Sequence, residues 1–564
     1  MKRLNNLVTE LYAADTLSSE PVSFVNPRTG WLYVSCAEGG AASLNGTPIP
    51  FHPYDNRMEA MLYVSAGDVS LEGSSARDVV VRAVPELAYC KYGYNPFIRE
   101  YGTYDWAYLQ QHVLPHINTV IGRGADDERE HAHEWKARGG KWIVERSLPT
   151  SRDAEHDPDV VFEKWIDTPG LTDPLFDGIL LDEFFSGDKP SFPAFTKAIK
   201  RIAEDPRFRD KQVYPYCGSH YPDRDDWGIY DENDTSKSSV PFYRATFDAG
   251  YRVAWERYMQ ERHEEAIAES FIGERMVANM QRWRNVLPDA AAHMIVALGY
   301  MDMGFQLDIH PDVDIKVYRD MQFRAMATAE PFDGLYGITG WTSGYADDET
   351  IRWTAKLYRH YGIEGNTEPL SDKFGFAYKT DHIYNGDFRH FWEGWDFPVL
   401  NEKSASVVAN RDFSALQSRW NKTTCGDTAL VMKRIVARPN EFSQPIRNLK
   451  PGHTYSVRLI SGDYRHFLDG VSEEKRHGIA VTLDGVEIIP EKSFVSVHRQ
   501  HPTVKVRGFS RKHLYWWNTH RIVFRATEKE ARLTISDWQD GKPLGPIGEE
   551  IAINFVQVQE YLDD

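Results

Sequence analysis

The chain has 564 residues, with 65 Lys and Arg against 83 Asp and Glu, a formal net charge of −18 at pH 7. Hydrophobic residues make up 41% and charged residues 26%, the proportions of a globular protein rather than of a disordered or collagen-like chain. The acidic balance without a basic stripe argues against a nucleic-acid partner, and the sequence has no run of 18 apolar residues to cross a membrane.

Aromatic residues reach 13%, enough for a large core and for rings on a binding surface. Cys36, Cys90, Cys217 and Cys425 lie far apart with no C-x-x-C spacing, so buried thiols are expected rather than a zinc knot or a disulfide framework. The first twenty residues carry two basic side chains but no apolar h-region, which points to the cytoplasm. An extracellular or periplasmic location stays open if that terminus is processed or truncated.

Residues 1–85 read as β: 23–36, 58–73 and 76–87 are β-branched and aromatic runs between Gly, Asn and Pro, the pattern of a small sandwich. From 86 to about 380 short apolar runs alternate with amphipathic segments. Strands are expected at 87–93, 117–124, 141–147, 177–187, 212–223, 291–302 and 332–344, with a long helical region over 242–285. Seven β-then-α units imply a parallel sheet covered by helices. Their combined length fits a (β/α)8 TIM-type barrel, with 374–380 as the candidate eighth strand. An open doubly wound sheet is the alternative, but no G-x-G-x-x-G follows the first strand and no G-x-x-x-x-G-K-[ST] occurs. Residues 381–564 return to alternating strands with Asp-Gly turns, as in a jelly roll.

In such a barrel chemistry sits at the carboxyl ends of the strands. There stand Lys91 and Tyr92, Glu145, the pair Asp182-Glu183, Tyr216 and His220, Tyr300 and Asp302, and Trp341. Paired carboxylates suit glycoside cleavage, where one carboxyl protonates the leaving oxygen and a second charge supports the anomeric carbon. Neighbouring carboxylates also push each other's pKa values apart, and aromatic faces bind the apolar side of a sugar. Neither a phosphate-cradling loop nor a set of basic clamps is seen, so a phosphoryl-transfer site is not expected, nor any cofactor. His131 and His133 fall on different faces of a predicted helix, and Asp308, Asp312 and Asp314 lack the glycine and terminal Glu of a calcium loop. No metal is expected either. The bland alternatives are an ion pair or helix cap at Asp182-Glu183, a salt bridge at Glu145-Arg146 and a loop hydrogen bond at His220.

The segment Phe176-Asp177-Gly178-Ile179-Leu180-Leu181-Asp182-Glu183-Phe184 resembles the fourth strand of TIM-barrel glycoside hydrolases. Likeness to substrate-assisted hexosaminidases implies Asp182 as orienter of a 2-acetamido group and Glu183 as general acid. Likeness to retaining α-glycosidases implies Asp182 as nucleophile and Asp302, on an expected sixth strand, as acid. The chitinase pattern D-x-x-D-x-D-x-E is incomplete, since Leu180 and Phe184 hold two of its acidic positions. Asn385-Gly386-Asp387-Phe388, followed by Trp392 and Trp395, resembles the opening of galactose-binding-like carbohydrate-binding modules, where Trp516 and Trp517 are either glycan contacts or core. The implied activity is hydrolysis of O-glycosidic bonds in a poly- or oligosaccharide. A degenerate glycan-binding barrel and a sugar lyase or isomerase remain the rivals, and oligomeric state is left open.

Overall fold

The computed structural model describes residues 1–563 apart from 18–19, 38–39, 75, 185–188, 218–238, 302–306, 398–403, 418–424, 472 and 503. Eight parallel strands close into a barrel. They are β1 (Glu86–Cys90), β2 (Thr119–Gly122), β3 (Lys141–Ser147), β4 (Gly178–Phe184), β5 (Gln212–Cys217), β6 (Val253–Arg257), β7 (Met294–Gly299) and β8 (Gly337–Trp341). Closure is made by β1 on β8, with Glu86 beside Gly337 and Ala88 beside Thr339. The open-sheet alternative is thereby excluded.

Side-chain alternation along each strand sorts the barrel into two cores. Ile143, Leu180, Tyr214, Ala254 and Ile295 fill the interior. Val144, Leu181, Val213, Trp255 and Val296 face outward into the core shared with the helices. The helix Phe192–Glu204, for example, buries Phe195, Ile199 and Ile202, one stripe at helical spacing. β4 starts where only glycine fits: Gly178 has φ 154°, and a Cβ there would lie 2.1 Å from the Gln212 carbonyl oxygen.

The amino-terminal end of the barrel is stoppered by a buried acid. Glu86 Oε2 accepts hydrogen bonds from the Tyr214 hydroxyl (3.1 Å), the Tyr336 hydroxyl (3.4 Å) and Trp31 Nε1 (3.4 Å). Burial raises the Glu86 pKa, opposed by Lys141, whose own pKa burial lowers to about 8. Trp31 belongs to the N-terminal β region. There, residues 2–84 form a six-stranded and a four-stranded antiparallel sheet around Leu32, Val34, Val69, Leu71 and Val81. In the C-terminal β region a six-stranded and a three-stranded sheet enclose Leu430, Val457, Phe524, Leu533 and Ile553. No helix among the described residues is long and apolar enough to cross a membrane.

Two expectations need correction. The region 242–285 is not helical throughout: the helix Ser239–Asp248 ends, Gly250 takes φ 74°, and β6 follows before the helix Glu265–Ile272. Five strand residues between helices are too few to displace the helical periodicity around them. The expected sixth and seventh strands are therefore β7 and β8. The stretch 374–380 supplies no barrel strand. Phe374 closes a short helix, Gly375 reverses the chain at φ 72°, and the Phe376 ring packs on Trp353 at 5.4 Å.

Candidate active site

The inward parity of Ile143, Leu180 and Ala254 carries to the residues two further on, which are Glu145, Asp182 and Glu256. A cavity of about 580 Å3 opens at this carboxyl-terminal end, and its walls include Lys91, Asp182, Glu183, Glu256, Tyr258, Trp341 and Tyr345.

Glu183 owes its place to a bulge. Register between β4 and β5 slips between Leu181 and Phe184, and Glu183 takes φ 74°. Its N–H donates to Asp182 Oδ1 at 2.8 Å, and its carbonyl accepts from Arg152 Nη1 at 2.9 Å. Phe184 anchors the bulge outside the barrel against Trp165, Phe195 and Phe242, with ring centroids 5.3–5.7 Å apart. Asp182 is left half-buried and Glu183 exposed on the rim.

Lys91 Nζ lies 2.7 Å from Glu145 Oε2. The ammonium also sits 4.3 Å from the Tyr94 ring centroid and 4.7 Å from that of Trp341, a cation held between two π faces. Burial disfavours its charge, the Glu145 carboxylate outweighs that, and the Lys91 pKa is raised. Burial first, and the Glu145 charge second, lift Asp182 to about 6. Across the mouth the Tyr258 hydroxyl is 2.6 Å from that of Tyr216. Burial, with the charges of Glu256 and Asp182, holds the Tyr258 phenol well above its ordinary range. The site thus has one carboxyl poised near neutrality, a second on β6, a neutral phenol and aromatic walls. That set can exchange a proton with an ether oxygen and stack on a sugar face.

The sequence candidates divide. Lys91, Asp182, Glu183 and Trp341 line the cavity, Glu145 pairs with Lys91 beside it, and Tyr216 supports Trp341 from the barrel interior at a ring distance of 4.8 Å. Tyr92 and Tyr300 lie elsewhere. Tyr92 packs among Trp106, Trp142 and His131, its hydroxyl 2.9 Å from His131 Nδ1. Tyr300 fills the space that Gly340 leaves open, its hydroxyl 2.9 Å from that of Tyr358. Asp302 and His220 lie outside the described residues. Glu256, Tyr258 and Tyr345 went unpredicted. Asn385 ties its own turn together, donating to the carbonyls of Phe391 and Glu393 at 2.9 Å each. Trp517 is core, its Nε1 donating to the Leu416 carbonyl at 3.0 Å.

No family model matches the chain, and no curated protein matches it either. Solved structures to which it is similar include glycoside hydrolases and carbohydrate-binding modules. One is the endo-β-N-acetylglucosaminidase from Cordyceps militaris, at 10% identity and TM-score 0.31, over 49% of this chain and 90% of that one. Another is the family 18 chitinase from Crocus vernus, at 10% identity and TM-score 0.30, over 48% and 98%. A third is the module TmCBM61 in complex with β-1,4-galactotriose, at 14% identity and TM-score 0.18, over 32% and 99%.

Proposed function

We propose that the chain is a glycoside hydrolase acting on a poly- or oligosaccharide, with Asp182 and Glu256 as its working carboxyls. The observation that supports this most directly is Asp182, lifted to about 6 inside an aromatic-walled cavity that Glu256 also lines. Near pH 6 such a group is protonated in about half of the molecules, the state a general acid needs. Asp182 gives its proton to the glycosidic oxygen as the bond to the anomeric carbon breaks. The Glu256 carboxylate faces the positive charge that develops on the sugar. Water then adds its oxygen to that carbon, and its proton returns to a carboxylate. Lys91 and Glu145 hold the charge beside Asp182, and Trp341 offers a face to the ring. In this scheme Glu183 contacts substrate at the rim, in place of the acid role its family resemblance implies.

The test compares Asp182→Asn, Glu183→Gln and Glu256→Gln with wild type on a broad panel of glycans and aryl glycosides, with folding followed by circular dichroism. Loss of turnover by about 100-fold or more in the Asp182 and Glu256 variants, both folded, is the expected outcome. Unchanged rates in either would remove that residue from the mechanism. Retained glycan affinity with no turnover in wild type would mark a binding protein instead.

A further inference from the structure

We propose that His501, from the C-terminal β region, is a positioning residue for the cavity. The C-terminal region would then be a built wall of the site rather than an appended binding unit. The link is Tyr345, which lines the cavity from the loop after β8. Its hydroxyl stands 3.2 Å from His501 Nε2, and the two rings lie 5.7 Å apart. His501 is 8% exposed, so its ring is largely shielded from water, with the half-buried Tyr345 standing between it and the cavity.

The loop that carries Tyr345 is fastened on both sides of that contact. Before it, the Ser343 hydroxyl donates to the Lys91 carbonyl at 2.7 Å, joining the loop to the residue that holds Glu145. After it, Asp348 and Glu349 meet Arg521 of the C-terminal region at 3.3 and 3.4 Å. Next to the seam, Tyr101 from the loop after β1 packs edge-on against Phe494 at 5.7 Å. The Tyr345 ring also packs against the barrel-interior cluster and against Ile98 and Tyr101, contacts that hold its plane but leave its hydroxyl to find a polar partner. The bond to His501 adds the directional tie that sets where the Tyr345 hydroxyl points, and with it the shape of the cavity wall at β8.

Only the kinetic arm of the test rests on the hydrolase reading. 3-Fluorotyrosine is placed at position 345 of the full chain and its 19F resonance recorded. In His501→Ala the resonance should move toward that of the unfolded chain, while melting temperature falls little. His501→Phe keeps a ring, lacks the polar atom, and carries the comparison if alanine unfolds the chain; it should behave as alanine does. His501→Gln, which returns a polar group near the Nε2 position, should restore the native resonance. On a glycan that wild type hydrolyses, His501→Ala and Tyr345→Phe should each raise KM by about fivefold, leave kcat within about twofold, and not add in the double variant. An unmoved resonance in the alanine and phenylalanine variants would overturn the proposal whether or not any glycan is turned over. A moved resonance with no turnover anywhere would leave the proposal standing and count against the hydrolase.

Discussion

Asp182 should cost the protein stability, and by an amount that depends on pH. An aspartate in an unfolded chain titrates near 3.9, whereas burial and Glu145 hold this one at about 6. Between those values the folded chain keeps a proton that the unfolded chain has released. Stability therefore falls as pH rises from about 4 to about 6, and the cost is complete above that window. The difference corresponds to about 3 kcal/mol. Asp182→Asn keeps the shape and the acceptor for the Glu183 N–H but cannot ionise. The variant should thus be more stable than wild type by up to about 3 kcal/mol at pH 8, a rise in melting temperature of roughly 6 °C for a cooperative unit of about 250 residues. The gain should shrink through pH 6 and vanish near pH 4. Thermal unfolding of both proteins across pH 4–8 measures it. A gain that is absent at pH 8, or that is the same at every pH, would refute the electrostatic account of the site.

Other perturbations follow from the same contacts. Glu145→Gln removes the negative charge next to Asp182 and leaves Lys91 facing it, so the Asp182 pKa should fall and the pH–rate profile of any hydrolysed glycan should move to lower pH; an unmoved profile would show that Glu145 does not tune it. Asp308→Ala removes the carboxylate 2.7 Å from Arg458 Nη2, both side chains buried, and leaves the guanidinium with Gln557, Gln559 and the Asp347 carboxylate at 4.0 Å. That loss should destabilise the chain by about 3–5 kcal/mol in denaturant unfolding, and a loss below about 1 kcal/mol would mean that the pair is solvated.

Much of the barrel was legible because seven of its strands are apolar runs set off by turn residues, and Asp182-Glu183 was visible because two acids end such a run. β6 was hidden by its brevity, and Glu256 was hidden with it. The periodicity of the flanking helices dominated any window wide enough to be read. Parity could have sorted the tyrosines. Ile295 and Ala297 face inward, so Tyr300 falls on the opposite side, while Tyr216 shares the inward side with Tyr214. Tyr92 is harder, since β1 ends at Cys90 and the chain turns to bond the Ile121 carbonyl, a change no local pattern announces. Tyr258 and Tyr345 sit just past strand ends, where tertiary contacts rather than periodicity decide direction.

The stopper around Glu86 gives the barrel a blind end. With Trp31, Tyr214 and Tyr336 all buried about that carboxyl, the described residues close this end, so on the proposed hydrolase reading no fragment drains away beneath Asp182. On that reading product leaves through the mouth that Trp341 and Tyr345 line, which is also the way the next sugar enters. If the proposed activity holds, departing and arriving molecules compete for that doorway, and accumulated product should slow turnover by occupancy rather than by any change of shape.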